Sequence, residues 1–256
     1  MISMLDPKTL TVLVTGATAG FGAALCRRFA EAGSRIIATG RRAERLDALS
    51  RELGERCHTA VLDVRDRKAV DALVSRLPGP FANINVTIAN AGLALGLEPA
   101  QKANLDDWES MVATNINGVL YTVRAVLPGM VARDDGHVVL MGSIAADYPY
   151  PGGNVYGGTK AFVKQFALNL RADLLGTNVR VTNIEPGMAE TEFALVRFKG
   201  DAEKADAPYR GLQPMSAEDV AEAVFWSCTL PRHVNINRLQ LMPVAQAFGP
   251  LAFSRK

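Results

Sequence analysis

The sequence predicts an α/β fold: a doubly wound, seven-stranded parallel sheet with helices on both faces. Three observations carry this. Short apolar runs alternate with longer amphipathic stretches from one end of the 256 residues to the other, the pattern of strand–helix–strand crossovers. The short runs are rich in Val, Ile and Leu with little polar alternation, as in strands covered on both sides. A glycine-rich turn joins the first run to the first amphipathic stretch, the place where such folds seat an anion.

The seven strands are expected at 10–15, 35–39, 58–63, 85–89, 137–141, 179–184 and 238–242. Helices are expected at 22–32, 43–53, 68–77, 106–127, 156–175 and 217–229, where apolar residues recur at three- and four-residue spacing. Asp106-Asp107 and the pair Ser216 and Asp219 read as helix starts, and Pro128 is expected to end or kink the fourth helix. No repeat or linker divides the chain, so residues 1–256 read as a single domain. The polar stretch 187–215, with Gly200, Pro208, Gly211 and Pro214, is long for a connection and reads as a substrate lid containing some helix.

Composition narrows the function classes. Lys plus Arg is 28 and Asp plus Glu 26, a net charge of +2. That is too mild a balance to argue for nucleic acid or an anionic membrane. No apolar run has the length of a membrane span, and the N-terminus lacks the pattern of a secretory signal. Cys26, Cys57 and Cys228 are scattered and read as small buried apolar residues of a cytoplasmic protein, with neither a disulfide framework nor a metal site expected. His58, His137 and His233 show no ligand spacing, and Trp108 and Trp226 read as packing residues.

The turn Thr15-Gly16-Ala17-Thr18-Ala19-Gly20-Phe21-Gly22 suits a pyrophosphate, because backbone amides and the positive end of the helix face the anion. Gly16, Thr18, Gly20, Phe21 and Gly22 are the contact candidates. An NAD site places an acid at the end of the second strand. Here Arg41 and Arg42 stand in that region, and guanidinium groups fit a 2′-phosphate, so NADP is the expected cofactor. The alternative for either arginine is a solvated loop. Asp63-Val64 ends the third strand at the same edge. Asp63 reads equally as an acceptor for the adenine amino group and as a cap for the next helix.

Tyr156 and Lys160 lie four residues apart at the start of the long fifth helix, so phenol and ammonium share a face. A nearby cation is expected to lower the phenol pKa and make Tyr156 a proton donor to a carbonyl or an acceptor from an alcohol. Ser143, just past the fifth strand, is placed to hold the substrate oxygen. Asn115, unfavourable inside a helix, reads as an anchor for a relay water or as a satisfied core amide. Arg197, in the apolar stretch 193–198 of the lid, reads as a clamp for an anionic substrate or as a surface partner of Glu190 or Glu192. Lys199 and Arg210 are weaker clamp candidates, and Tyr150 reads as a pocket wall. Phe162, Phe166, Leu170 and Leu174 form a helical stripe that reads as core or subunit interface.

These ordered motifs, together with Asn90-Ala91-Gly92 and with Pro186-Gly187 and Thr191, resemble the short-chain dehydrogenase/reductase family over essentially the whole length. The resemblance implies a Rossmann-type fold, a Ser143–Tyr156–Lys160–Asn115 tetrad, and Lys160 on the nicotinamide ribose. It also implies Asn90, Ala91 and Gly92 beside the cofactor, Pro186, Gly187 and Thr191 lining the nicotinamide, and a homotetramer. Ala89 departs from the family pattern, which often has a first Asn there. Within the family, stretches such as 38–42, 90–96, 150–156 and 233–237 are similar to bacterial NADP-dependent 3-hydroxy acid dehydrogenases, which act on L-serine, allo-threonine and 3-hydroxypropionate. Residues 189–193 and 209–211 are similar to sulfoacetaldehyde reductases. A small anionic hydroxy acid or aldehyde is therefore the expected substrate. A non-catalytic dinucleotide sensor is the reading from another class, and the paired phenol and ammonium argue against it.

Overall fold

The computed structural model describes residues 4–248. Its strands are β1 (Thr11–Thr15), β2 (Arg35–Gly40), β3 (Cys57–Val61), β4 (Val86–Ala89), β5 (Gly136–Met141), β6 (Val179–Pro186) and β7 (Arg238–Leu241). They form one sheet in the order β3-β2-β1-β4-β5-β6-β7, and every pairing is parallel. The order reverses direction between β1 and β4, which opens a crevice at the carboxyl ends of those strands.

Alternation along each strand divides the core in two. Val12 and Val14 of β1 face α1 (Gly20–Glu31), joining Leu25 and Phe29 in a cluster that also takes in Val220 and Val224. Leu13 points the opposite way, into a cluster with Ile37, Val138 and Leu140. Between α1 and the second crossover helix, α2 (Ala43–Leu53), Gly40 closes β2. Asp66 caps α3 (Arg67–Ser75) by accepting from the Ala69 amide at 3.1 Å. The capping alternative for Asp63 is thereby overturned: Asp66 sits at the correct offset, and Asp63 is paired with Arg65 at 2.5 Å.

The single helix expected at 106–127 is in fact three pieces: α4 (Leu105–Val112), a π-helical turn (Ala113–Asn117) and α5 (Gly118–Ala132). The Gly118 amide reaches back to the Ala113 carbonyl, the wide ring of a π turn. Pro128 does not end α5, which runs on to Ala132. Met130 is fully buried against the sheet, and that packing holds the last turn in place after the proline.

Beyond β5, α6 (Asn154–Asp173) carries the stripe of Phe162, Phe166, Leu170 and Leu174. Leu170 and Leu174 are buried, while Phe162 and Phe166 are partly buried and stacked at 5.9 Å. The 187–215 segment holds two short helices, α7 (Glu192–Arg197) and α8 (Ala202–Asp206). Helix α9 (Ala217–Thr229) starts with the expected capping box between Ser216 and Asp219. Trp226 does not pack as expected and is 45% exposed. Its neighbour Phe225 turns inward instead, edge-on to Phe29 at 5.1 Å. The three cysteines are free and buried, and no described helix is long and apolar enough to cross a membrane.

Candidate active site

A cleft of about 350 Å³ runs along the carboxyl edge of the sheet. Its floor is the glycine-rich turn. Gly16 has φ +69°, and a Cβ there would lie 2.9 Å from the Ala91 Cα. A Cβ on Gly22 would come within 2.1 Å of the Gly16 carbonyl. Both positions therefore exclude a side chain; Gly16 lines the cleft, whereas Gly22 does not and instead lets α1 close against the turn. Thr15 and Asn90 lock the turn to β4. The Thr15 hydroxyl accepts from the Asn90 and Ala91 amides at 3.0 Å, and the Asn90 side-chain amide donates to the Thr15 carbonyl at 2.8 Å. Sequence reading missed Thr15 because its role depends on β4 arriving beside β1.

At one end of the cleft, Arg42 donates from Nε and Nη2 to the Thr18 hydroxyl at 3.0 and 2.9 Å. Arg41 and Asp63 line the same end, with Leu62 and Val64 alongside. The Arg65 guanidinium holds the Asp63 carboxyl below the usual carboxylate range. Arg45 and Glu192, which sequence reading left out of the site, join Arg42 here. Glu192 accepts from Arg45 at 2.7 Å and from Arg42 at 3.1 Å.

At the other end stand Ser143, Tyr156 and Lys160, all buried. Lys160 donates from Nζ to the Met141 carbonyl at 2.7 Å, which ties α6 to the end of β5. Burial lowers the Lys160 pKa from 10.5 to about 8. The Lys160 Nζ is 5.7 Å from the Tyr156 ring centre. The expected lowering of the Tyr156 pKa is not seen. Burial, with Tyr150 adding to it, raises the phenol to about 12, and a hydrogen bond with Ser143 and the charge of Arg197 offset only part. Desolvation penalises both charged forms here, and it outweighs the pairing that spacing alone suggests.

Asn115 lies behind this wall, fully buried in the π turn. Its Oδ1 accepts from the Leu93 amide at 2.9 Å. Its Nδ2 donates to the Leu93 carbonyl at 2.8 Å and to the Thr159 hydroxyl at 3.0 Å. Both amide protons are thus used on the protein, the satisfied-amide arrangement, and the side chain fixes the turn after Gly92. Thr114, not Asn115, lines the cleft.

Pro186, Gly187 and Thr191 also line the cleft, as do Asn90, Ala91 and Gly92. Tyr150 does not line the cleft as expected, and neither does Arg197, which stands beside the Tyr156 ring at the end of α7. It donates from Nη2 to the Tyr150 hydroxyl at 2.8 Å and from Nε to the Gly96 carbonyl at 3.2 Å. Its guanidinium carbon lies 5.3 Å from the Tyr150 ring centre and 5.6 Å from that of Tyr156. The alternative partner Glu192 is engaged with Arg42 and Arg45 instead. Lys199 pairs with Asp107 at 2.8 Å, away from the phenol. Phe193, which the sequence reading placed only in the apolar stretch of the lid, sits 5.6 Å from the Tyr156 ring. Among the described residues no group of His, Cys, Asp or Glu is arranged to hold a metal.

A doubly wound parallel sheet with a bare glycine turn at its switch point, and a buried Ser–Tyr–Lys group facing it, defines a dinucleotide-dependent oxidoreductase. The family model described as short chain dehydrogenase matches residues 10–201. The chain belongs to the short-chain dehydrogenase family. It is 58% identical over 247 residues to the NADP-dependent 3-hydroxy acid dehydrogenase YdfG of Salmonella typhimurium, covering 96% of this chain and 100% of that one. It is 54% identical to sulfoacetaldehyde reductase 2 of Chromohalobacter salexigens, covering 95% and 98%. Among solved structures, the closed form of serine dehydrogenase complexed with NADP⁺ superposes with a TM-score of 0.92 at 57% identity, covering 93% of this chain and 96% of that one.

Proposed function

We propose that this protein is an NADP(H)-dependent oxidoreductase that interconverts a small 3-hydroxy acid, of the 3-hydroxypropionate, L-serine or allo-threonine type, with its oxo acid or semialdehyde. The observation that carries the substrate class is Arg197. Its guanidinium is held by Tyr150 and Gly96 beside the Tyr156 ring, where an anion two or three bonds from the reacting carbon would meet it. The relatives named for 3-hydroxy acid and serine dehydrogenation support the same class.

The residues present fit the cofactor. The turn cleared at Gly16 and Gly22 would take the pyrophosphate, and Arg41, Arg42 and Thr18 the 2′-phosphate. Asp63 and Val64 would border the adenine, while Asn90, Ala91 and Gly92 would flank the chain of the cofactor. Lys160 and Tyr156 would meet the nicotinamide ribose, with Pro186, Gly187 and Thr191 along the ring. When bound, the nicotinamide supplies or accepts the hydride. The chain's own residues handle the proton and the orientation. With its pKa held high, Tyr156 is a phenol at neutral pH and can donate to a carbonyl oxygen. Ser143, which lines the cleft beside that phenol, would hold the same oxygen. Asn115 keeps the Gly92–Leu93 turn in place, and a relay water would bind beside it.

Residues 1–256 act as one catalytic domain, in which 187–215 covers the substrate as a lid. The working form is a cytoplasmic homotetramer, with the stacked Phe162 and Phe166 of α6 as apolar surface for a second copy. Arg197 fits a sulfonate as well as a carboxylate, and the 54% identical reductase makes sulfoacetaldehyde the second reading.

The test is NADP⁺ reduction with 3-hydroxypropionate, against 1-propanol, which lacks the anion, and against isethionate. Turnover with the carboxylate alone is expected. Turnover with isethionate alone moves the substrate to the sulfonate class. Protein that binds NADPH but turns over none of these refutes the small-anion reading.

A further inference from the structure

The carboxylate of Glu192, the first residue of α7, takes no part in the proton or substrate chemistry, yet it is fully engaged. Oε1 accepts from Arg45 Nη1 at 2.7 Å, and Oε2 accepts from the same nitrogen at 2.9 Å and from Arg42 Nη1 at 3.1 Å. Arg42 points its remaining edge at the Thr18 hydroxyl, and Arg45 Nη1 also donates to the Thr18 carbonyl at 3.2 Å. Glu192 therefore occupies guanidinium groups at the end of the cleft where a 2′-phosphate would dock. A phosphate monoester brings a larger negative charge than a carboxylate to the same donors, and the two repel at this range.

The position of α7 fixes Glu192 at this end of the cleft. Thr191, its cap, lies against the glycine-rich turn, where a Cβ on Gly20 would be 3.3 Å from the Thr191 Cβ. At a rise of about 1.5 Å per residue the far end of α7 lies roughly 7–8 Å on. That end is Arg197, on Tyr150 and Tyr156. One short helix thus starts on the phosphate arginines and ends at the catalytic phenol.

We propose that Glu192 is a specificity-determining residue for the cofactor: an internal competitor for the 2′-phosphate, displaced from Arg42 and Arg45 by NADP(H) but not by NAD(H), while α7 stays pinned at Thr191 and Arg197. The inference rests on the NADP(H) reading above. All three side chains are about two-fifths exposed, so solvent weakens each ion pair, and the effect on affinity is a modest factor.

The experiment compares wild type with Glu192→Gln, which keeps the shape and removes the charge. Dissociation constants for NADPH and NADH are measured by nucleotide fluorescence, and those for 2′,5′-ADP and 5′-ADP by isothermal titration. NADPH is expected to bind about three- to tenfold more tightly to the variant, with NADH unchanged. The affinity for 2′,5′-ADP is expected to rise by a similar factor and that for 5′-ADP to stay unchanged. Unchanged or weaker NADPH binding to Glu192→Gln would overturn the proposal, and so would an equal gain for 5′-ADP. Equal affinity of wild type for NADPH and NADH would instead bring down the cofactor reading on which it rests.

Discussion

Replacing Arg197 with Met keeps the length and apolar stem of the side chain and removes its charge. In the wild type the guanidinium is held on Tyr150 and Gly96 and lies 5.6 Å from the Tyr156 ring centre. A charge-assisted hydrogen bond to a substrate carboxylate contributes about 1.5–3 kcal/mol, or roughly 10- to 150-fold. Because Arg197 is only partly buried, the lower half of that range applies, and kcat/KM for 3-hydroxypropionate is expected to fall about 10- to 50-fold. For 3-hydroxypropanamide, which has the same shape and no charge, the loss should stay within about threefold. A second readout follows from the electrostatics. Arg197 is one of the groups that hold the Tyr156 pKa down against burial. Alcohol oxidation requires the phenolate, so its alkaline rise should move to higher pH in the variant. Arg197→Lys should recover part of the preference for the acid over the amide. Steady-state assays of both substrates across pH 7–10.5 test all of this. An equal fall for acid and amide would refute the clamp and leave Arg197 a structural residue.

Tyr156→Phe should retain NADPH affinity within about twofold while turnover drops by at least about 10²-fold; isothermal titration beside an activity assay checks it, and lost binding would contradict the acid/base role. Replacing Arg41 and Arg42 together with Ala should weaken NADPH by about 10- to 100-fold and leave NADH nearly unaffected, and equal weakening of both would reject the 2′-phosphate assignment. Lys160→Met should abolish turnover yet stabilise the cofactor-free protein. The fall of the lysine pKa from 10.5 to about 8 on burial corresponds to ~3 kcal/mol. Loss of the bond to the Met141 carbonyl returns about 1 kcal/mol. The net is about 2 kcal/mol, or a Tm roughly 4–8 °C higher at pH 7. The sign of the pH dependence follows from proton counting. Between pH 8 and 10.5 the unfolded chain binds more protons at Lys160 than the folded one, so wild-type stability gains from this residue as pH rises through that window. Calorimetry should find that contribution absent from the variant.

How much of this was legible beforehand depends on whether a feature is local. Strand–helix alternation, the glycine turn, the arginines after the second strand and the Tyr156–Lys160 spacing are properties of short segments. Covering both faces of a parallel sheet leaves few other ways to arrange them, so the fold and the outline of the site follow from the sequence. Even the capping box of α9 could be read from two residues.

What only the tertiary structure decided are quantities that depend on what arrives from elsewhere in the chain. Met130 buries itself against the sheet and carries α5 past Pro128. Asn115 meets Leu93 and Thr159, from two other segments, and becomes a brace. Glu192 meets Arg42 and Arg45 from about 150 positions away, which leaves Arg197 to face the phenol. The protonation of Tyr156 likewise turned on burial and not on spacing. Desolvation is a property of the whole surrounding shell, and no window of sequence contains it.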